Sequence, residues 1–230
     1  MDDTALMERA IEVAATVRAA TSPNPWVGAA LETVDGSLFV GATEPPGGRH
    51  AERVALDAAH AAGVDTAGST MAVTLEPCCH TGRTGPCSTA LIDAGVRRVL
   101  VGAEDPDPRV CGGGIAELRG AAVDTQVGVL SGTVDEQLAA YLHHRRTGRP
   151  WVVLKLAATL DGRIAAPDGS SNWITGEAAR RDVHRWRAES DAVLVGAGTV
   201  RHDDPSLTVR LATGRDPRRI VLGTAPAGAA

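Results

Sequence analysis

His50-Ala51-Glu52, Glu76-Pro77-Cys78 and Pro86-Cys87 are the stretches of this chain whose residue types and spacing could do chemistry. An imidazole and two thiols make three ligands of the kind a catalytic zinc takes, leaving a fourth position for water. Such a metal lowers the pKa of its water to about 7, so hydroxide becomes available at neutral pH. Glu52 lies two residues from His50, close enough to carry protons without occupying the metal. The alternative is a structural zinc site with Cys79 or His80 as a fourth ligand, which leaves Glu52 without a role. Cys79 and Cys111 otherwise read as small inert residues, His60 as a solvated helix residue, and His143 and His144 as part of a basic helix end.

A His-x-Glu paired with Pro-Cys-x-x-Cys, with the Glu as general acid/base, is the pattern of zinc nucleobase deaminases. This chain keeps the first half and the Pro-Cys start. It departs in spacing, with eight residues between Cys78 and Cys87. Helix N-termini favour thiolate over thiol, so the elements around these residues matter.

Residues 4–20 carry Met7, Ala10, Ile11, Ala14 and Val17 on one helical face, and Pro23 and Pro25 forbid continuation. Strands follow at 27–33 and 37–42, joined by Asp35-Gly36, a strong hairpin signal. A helix starts near His50 and stops at Gly63. The next elements are a strand at 70–75, a helix from Cys87 to about Ala94, a strand at 98–101, a short helix at 115–119, a strand at 123–127 and a helix from about 134 to 145. Cys78 thus follows a strand, while His50 and Cys87 open helices, which brings them to one edge of an α/β sheet with parallel pairings. Residues 145–150 read as a linker. Beyond it come a buried strand at 151–157, a helix at 176–189 and strands at 192–196 and 219–222.

Composition narrows the partners. Hydrophobic residues are 43% and charged residues 22% of the 230, ordinary for a soluble globular chain. The net charge of -5 and six aromatics argue against a nucleic-acid surface, which needs excess Lys/Arg and stacking platforms. No apolar run suits a bilayer, and the acidic N-terminus is no signal peptide. Four clustered cysteines then point to reducing cytoplasm.

The residues resemble the bifunctional riboflavin-biosynthesis deaminase/reductase family. The marks are Asn24-Pro25-Trp26-Val27-Gly28, His50-Ala51-Glu52, Glu76-Pro77-Cys78-Cys79-His80-Thr81-Gly82-Arg83-Thr84-Gly85-Pro86-Cys87, Asp105-Pro106-Asp107-Pro108 and Gly112-Gly113-Gly114. Further on they are Lys155-Leu156-Ala157-Ala158-Thr159-Leu160-Asp161-Gly162-Arg163, Trp173-Ile174-Thr175 and Asp203-Asp204-Pro205-Ser206-Leu207-Thr208-Val209-Arg210. The resemblance implies a cytidine-deaminase-like three-layer α/β/α domain over residues 1–146. An incomplete dihydrofolate-reductase-like α/β domain follows over 147–230. It implies zinc on His50, Cys78 and Cys87, with Glu52 as proton shuttle in the deamination of a diaminohydroxypyrimidine phosphoribosylamine, a small molecule. Asn24, Arg83 and Asp107 are implied as its contacts; Asn24 also reads as a turn former before Pro25. In the second domain the resemblance implies NADPH at Ala157, Trp173, Thr199 and Asp203. It implies the reductase substrate at Lys155, Ser171, Arg187, Leu207 and Arg210. The matching nonfunctional readings there are a core Trp173, a loop-capping Asp203 and a helix-surface Arg187.

Three departures bear on these expectations. The family often has His where Thr43 stands and Asn where Asp107 stands, which supports a deaminase of another aminated heterocycle as an alternative. About 80 residues follow the linker, fewer than a full reductase domain, and the later Gly-rich cofactor loop has no counterpart. The expectation is a chain that deaminates and does not reduce. A zinc-stabilised scaffold without activity is the third reading, and a homo-oligomer is left open.

Overall fold

The computed structural model describes residues 1–80 and 85–224. Two compact units divide the chain, Met1–Trp151 and Val152–Ala230.

In the first unit, β1 (Gly28–Glu32) and β2 (Leu38–Ala42) are joined at Gly36, whose φ of 85° is the conformation a tight hairpin demands. Thr33 and Ser37 close the turn, the Thr33 N–H donating to the Ser37 carbonyl at 3.0 Å. The other strands are β3 (Thr70–Leu75), β4 (Arg98–Ala103) and β5 (Asp124–Val127), and the order is β2-β1-β3-β4-β5. Pairing is parallel from β3 to β5, as the strand–helix alternation implies, but β1 runs antiparallel to both β2 and β3. The sheet is therefore mixed, because the hairpin feeds β1 back into its interior. This reversal puts the start of β1, the end of β2 and the ends of β3, β4 and β5 at one edge.

Helices cover both faces. α1 (Asp3–Ala15) is capped by Asp2, whose carboxylate accepts the Ala5 N–H at 2.7 Å. It ends short of the expected residue 20, where the Thr16 hydroxyl turns back to the Val13 carbonyl at 2.7 Å. α2 (Ala51–Ala61) lies on the opposite face. A Cβ on Gly28 would sit 1.9 Å from the Ala10 carbonyl of α1, and one on Gly41 would sit 2.2 Å from the Ala51 carbonyl of α2. Gly41 pairs with Ala29, the neighbour of Gly28, so the two glycines face opposite sides. α3 (Cys87–Asp93) and α4 (Gly113–Gly120) join the α2 layer, while α5 (Ser131–Gln137) joins α1, with the Gln137 amide donating to the Ile11 carbonyl at 2.9 Å. α6 (Ala139–Thr147) follows. The single helix expected over 134–145 is divided at fully buried Leu138. The result is a three-layer α/β/α unit whose central strands β3 and β4 are buried on both faces.

The second unit holds α7 (Glu177–Glu189), β6 (Ala192–Gly196), α8 (Ala197–Asp203) and β7 (Arg218–Leu222), with β6 parallel to β7. The buried strand expected at 151–157 is not formed. Val152, Leu154 and Leu156 are 80%, 78% and 73% exposed, and no strand among the described residues pairs with them. An apolar stretch becomes a buried strand only when neighbours supply its ladder and cover its faces. No described helix is long and apolar enough to cross a membrane.

The close seat of α2 on β2 generates a test. Gly41→Ala forces backbone against backbone and is expected to cost about 1–3 kcal/mol, read as a lowered melting temperature. Gly132→Ala adds a Cβ in open space within α5 and is expected to leave the melting temperature unchanged or raise it. Equal melting temperatures for wild type and Gly41→Ala would contradict the packing.

Candidate functional site

The shared sheet edge collects the chemistry. His50 is the N-cap of α2, its backbone extended and its side chain free of any cap hydrogen bond, so the ring is available to the edge. Its Nδ1 lies 3.5 Å from Cys78 Sγ and 3.4 Å from Cys87 Sγ. Cys78 stands three residues past β3, and Cys87 is the first residue of α3, buried. The three ligand atoms lie within 4.8 Å of one another. The Ser88 N–H donates to the Cys78 carbonyl at 3.2 Å, and the Ser88 hydroxyl donates to Glu117 at 2.5 Å, which closes the chain between the two thiols.

Protonation of the cluster shows what it lacks. The Cys87 thiol, hydrogen-bonded to Cys78, holds the Cys78 thiol well below its usual range, with His50 adding to the effect against burial. In return the Cys78 sulfur, burial and Glu52 push Cys87 far up. The pair gives up one proton readily and keeps the second, because two thiolates beside a buried carboxylate repel. A divalent cation that favours sulfur and imidazole removes that obstacle, and zinc matches this donor set. Cys79 turns away, its S–H donating to the Arg109 carbonyl at 3.7 Å. Three protein donors therefore meet among the described residues, the number that leaves a coordination position open.

Glu52, in the first turn of α2, is 3% exposed and within hydrogen-bonding reach of Cys87. Burial raises its pKa, opposed by His50 and reinforced by Cys78. A carboxyl with raised proton affinity beside an open metal position can take a proton and return it.

The residue that composition and spacing did not single out is Glu76. Its buried carboxylate accepts four backbone N–H groups: Gly114 at 3.0 Å and Ile115 at 3.2 Å on Oε1, Asp105 at 3.2 Å and Gly112 at 3.0 Å on Oε2. It ties the exit of β3, two residues before Cys78, to the loop leaving β4 and to the start of α4. The Gly112-Gly113-Gly114 run was the available signal. A Cβ on Gly114 would stand 1.9 Å from the Pro77 carbonyl, so only glycine lets α4 approach.

Asn24 is exposed in the turn before β1, its N–H donating to the Thr21 carbonyl at 2.8 Å, at the same sheet edge. Thr43 is buried, and its hydroxyl accepts the Val27 N–H at 3.1 Å. Asp107 is buried and already paired, with Arg109 at 2.7 Å and Arg145 at 3.4 Å. Arg83 lies outside the described residues. In the second unit, Arg187 Nη1 donates to the Thr208 carbonyl at 3.3 Å, Arg210 Nη1 to the Thr208 hydroxyl at 2.9 Å, and the Arg210 N–H to His184 Nδ1 at 3.0 Å. Arg187, Arg210 and buried Leu207 therefore gather about Thr208. Ser171 is half-buried and Lys155 exposed. Of the four expected NADPH residues, half-buried Ala157 lies in the unpaired stretch, exposed Trp173 stacks under Arg180 at 4.5 Å, and Thr199 and Asp203 lie exposed on α8.

Residues 1–103 match the cytidine and deoxycytidylate deaminase zinc-binding region, and residues 150–227 match the RibD C-terminal domain. The chain is 48% identical over 227 residues to riboflavin biosynthesis protein RibD of Mycobacterium tuberculosis, covering 94% of this chain and 65% of that one. The Bacillus amyloliquefaciens protein of the same name is 42% identical over 219 residues, with 95% and 58% covered. A Thermotoga maritima diaminohydroxyphosphoribosylaminopyrimidine deaminase/5-amino-6-(5-phosphoribosylamino)uracil reductase superposes with a TM-score of 0.91 at 42% identity, over 96% of this chain and 62% of that one. Acinetobacter baumannii RibD superposes at 0.87 and 40%, over 99% and 65%. The chain thus spans less than two thirds of the length of these relatives.

If Glu76 sets the position of Cys78, Glu76→Gln, which keeps the shape but turns donors toward donors, is expected to weaken zinc retention about 10–100-fold against a competing chelator. Unchanged retention with an unchanged melting temperature would contradict that role.

Proposed function

Because the chain belongs to the riboflavin-biosynthesis RibD family, we propose that its first unit hydrolytically deaminates a diaminohydroxypyrimidine phosphoribosylamine to the corresponding aminouracil. The observation that carries this reading is Glu52, a buried acid in reach of a three-donor metal cluster and with no ligand role of its own. A scaffold needs no such group.

Zinc, held by His50, Cys78 and Cys87, supplies activation of water at neutral pH. Glu52 removes a proton as water adds to the amine-bearing ring carbon, then delivers it to the departing nitrogen. The C–O bond forms, the C–N bond breaks and ammonia leaves. Burial suits Glu52 to both halves, since a carboxyl of ordinary acidity would release its proton before the amine needed it. Asn24, in the turn at the mouth of the site, is proposed to orient the pyrimidine, and Arg83 to be a basic contact on the substrate side. The substrate is a small molecule, and the net charge of -5 supports no role on nucleic acid. The free thiols among the four cysteines suit reducing cytoplasm.

No reduction is assigned to this chain. In the reading proposed here, Lys155, Ser171, Arg187, Leu207 and Arg210 mark the reductase substrate region, with Ala157, Trp173, Thr199 and Asp203 on the cofactor side. Unless these residues hold a nucleotide together, the reductant is left unpositioned, which costs orders of magnitude in rate.

The test is incubation of the purified protein with the pyrimidine phosphoribosylamine, with and without NADPH, resolving products by mass. The deaminated product is expected in both, and reduced product in neither. Glu52→Gln is expected to keep zinc and lose about 10²–10⁴-fold in turnover, while Cys78→Ala and Cys87→Ala lose the metal. Near wild-type turnover of zinc-loaded Glu52→Gln would reject the mechanism.

A further inference from the structure

We propose that Arg109 and Arg145 form a binding site for the phosphate monoester of the substrate, held in place by the buried carboxylate of Asp107. The inference rests on the deaminase reading and names the subsite that would distinguish a phosphorylated substrate from its dephosphorylated counterpart.

Asp107 sits in the loop leaving β4, and its side chain is 5% exposed. Arg109 meets it side-on, with Nε 3.1 Å from Oδ1 and Nη2 2.7 Å from Oδ2, while the Arg109 backbone N–H reaches Oδ1 at 3.0 Å. Arg145 comes from α6, its Nη1 3.4 Å from Oδ2 and its guanidinium carbon 5.2 Å from the centre of the Tyr141 ring. Tyr141 is fixed in turn by its hydroxyl, 3.0 Å from each carboxylate oxygen of Asp105. Both cations are thus positioned before any ligand arrives, which lowers the ordering cost of binding.

The two arginines keep capacity to spare. The side-on pair occupies Nε and Nη2 of Arg109 and leaves Nη1 without a protein acceptor among the described residues. The arginine side chains are 63% and 34% exposed, against 5% for Asp107, and Asp105 is buried as well. The two carboxylates therefore lie inward and the guanidinium groups outward, so an anion arriving from solvent contacts cations first. Guanidinium forks suit phosphate oxygens. Position agrees: the Arg109 carbonyl accepts the S–H of Cys79, the residue after the ligand Cys78, and the loop leaves the same sheet edge. Asp107 is then a positioning residue that acts through Arg109 and Arg145.

The zinc-loaded full chain is titrated with ribose 5-phosphate and with ribose, following binding by calorimetry and phosphorus NMR. Ribose 5-phosphate is expected to bind at least about tenfold tighter than ribose. Arg109→Gln and Arg145→Gln are each expected to remove about tenfold or more of that affinity. Arg109→Lys does not restore it, since an ammonium cannot hold carboxylate and phosphate in one rigid fork. Arg97→Gln, at the opposite end of β4, is the control and keeps wild-type binding. Equal affinity for the two sugars, or full affinity in both glutamine variants, overturns the site. The titration reads binding alone. Deamination with undiminished ribose 5-phosphate binding in both variants rejects the site and keeps the deaminase reading. The predicted binding pattern without deamination rejects the reading and keeps the site.

Discussion

One buried carboxylate holds the site together. Glu76 brings a polar side chain into the interior, a costly placement unless its lone pairs are met, and it meets them with four backbone N–H groups from residues 105 to 115. The exchange joins three segments that the chain order keeps apart. The β3 exit carries Cys78, the β4 loop carries Asp105 and Asp107, and α4 sends Glu117 to Ser88 beside Cys87. Removing the carboxylate would leave the three buried donors of Asp105, Gly114 and Ile115 without this partner, each a penalty of about 1–3 kcal/mol. The position of Cys78 thereby depends on a helix that carries none of the three cluster residues.

Sheet direction does the remaining work. If β1 ran parallel to β3, the turn holding Asn24 would lie at the far edge from Cys78. The hairpin at Gly36 reverses it. The close contacts at Gly28 and Gly41 then let α1 and α2 lie directly on the strands, and the second contact fixes the height of α2, whose first turn presents both His50 and Glu52. The site is thus assembled from backbone approaches that tolerate no added methyl group.

Much of this is legible in local pattern. The strand at 70–75 and the helix opening at Cys87 follow from a short apolar run and from Pro86, and the His-x-Glu and Pro-Cys signatures point to the cluster before any coordinates. What pattern does not show is the partner across the chain. The four bonds of Glu76 join residues 29 to 39 positions apart, and no periodicity marks them. Asp107 is implied as a substrate contact by resemblance, and nothing local in the sequence marks its pairing with Arg145 of α6. α1 gives way to turns at Thr16, whose hydroxyl bonds the Val13 carbonyl, and the later helix divides at fully buried Leu138. The stretch at 151–157 shows the converse. Its apolar run is a sound strand signal, yet a strand also needs neighbours, and the two-stranded β6–β7 sheet does not supply them.

The central claim is that three protein donors, and no fourth, surround the metal, with Glu52 left free for proton transfer. X-ray absorption at the zinc edge of the metal-loaded protein measures this directly. The account predicts two sulfur neighbours, one imidazole and one light oxygen neighbour. Three sulfurs, or two sulfurs with two imidazoles, would place Cys79 or His80 on the metal, close the coordination sphere and contradict it.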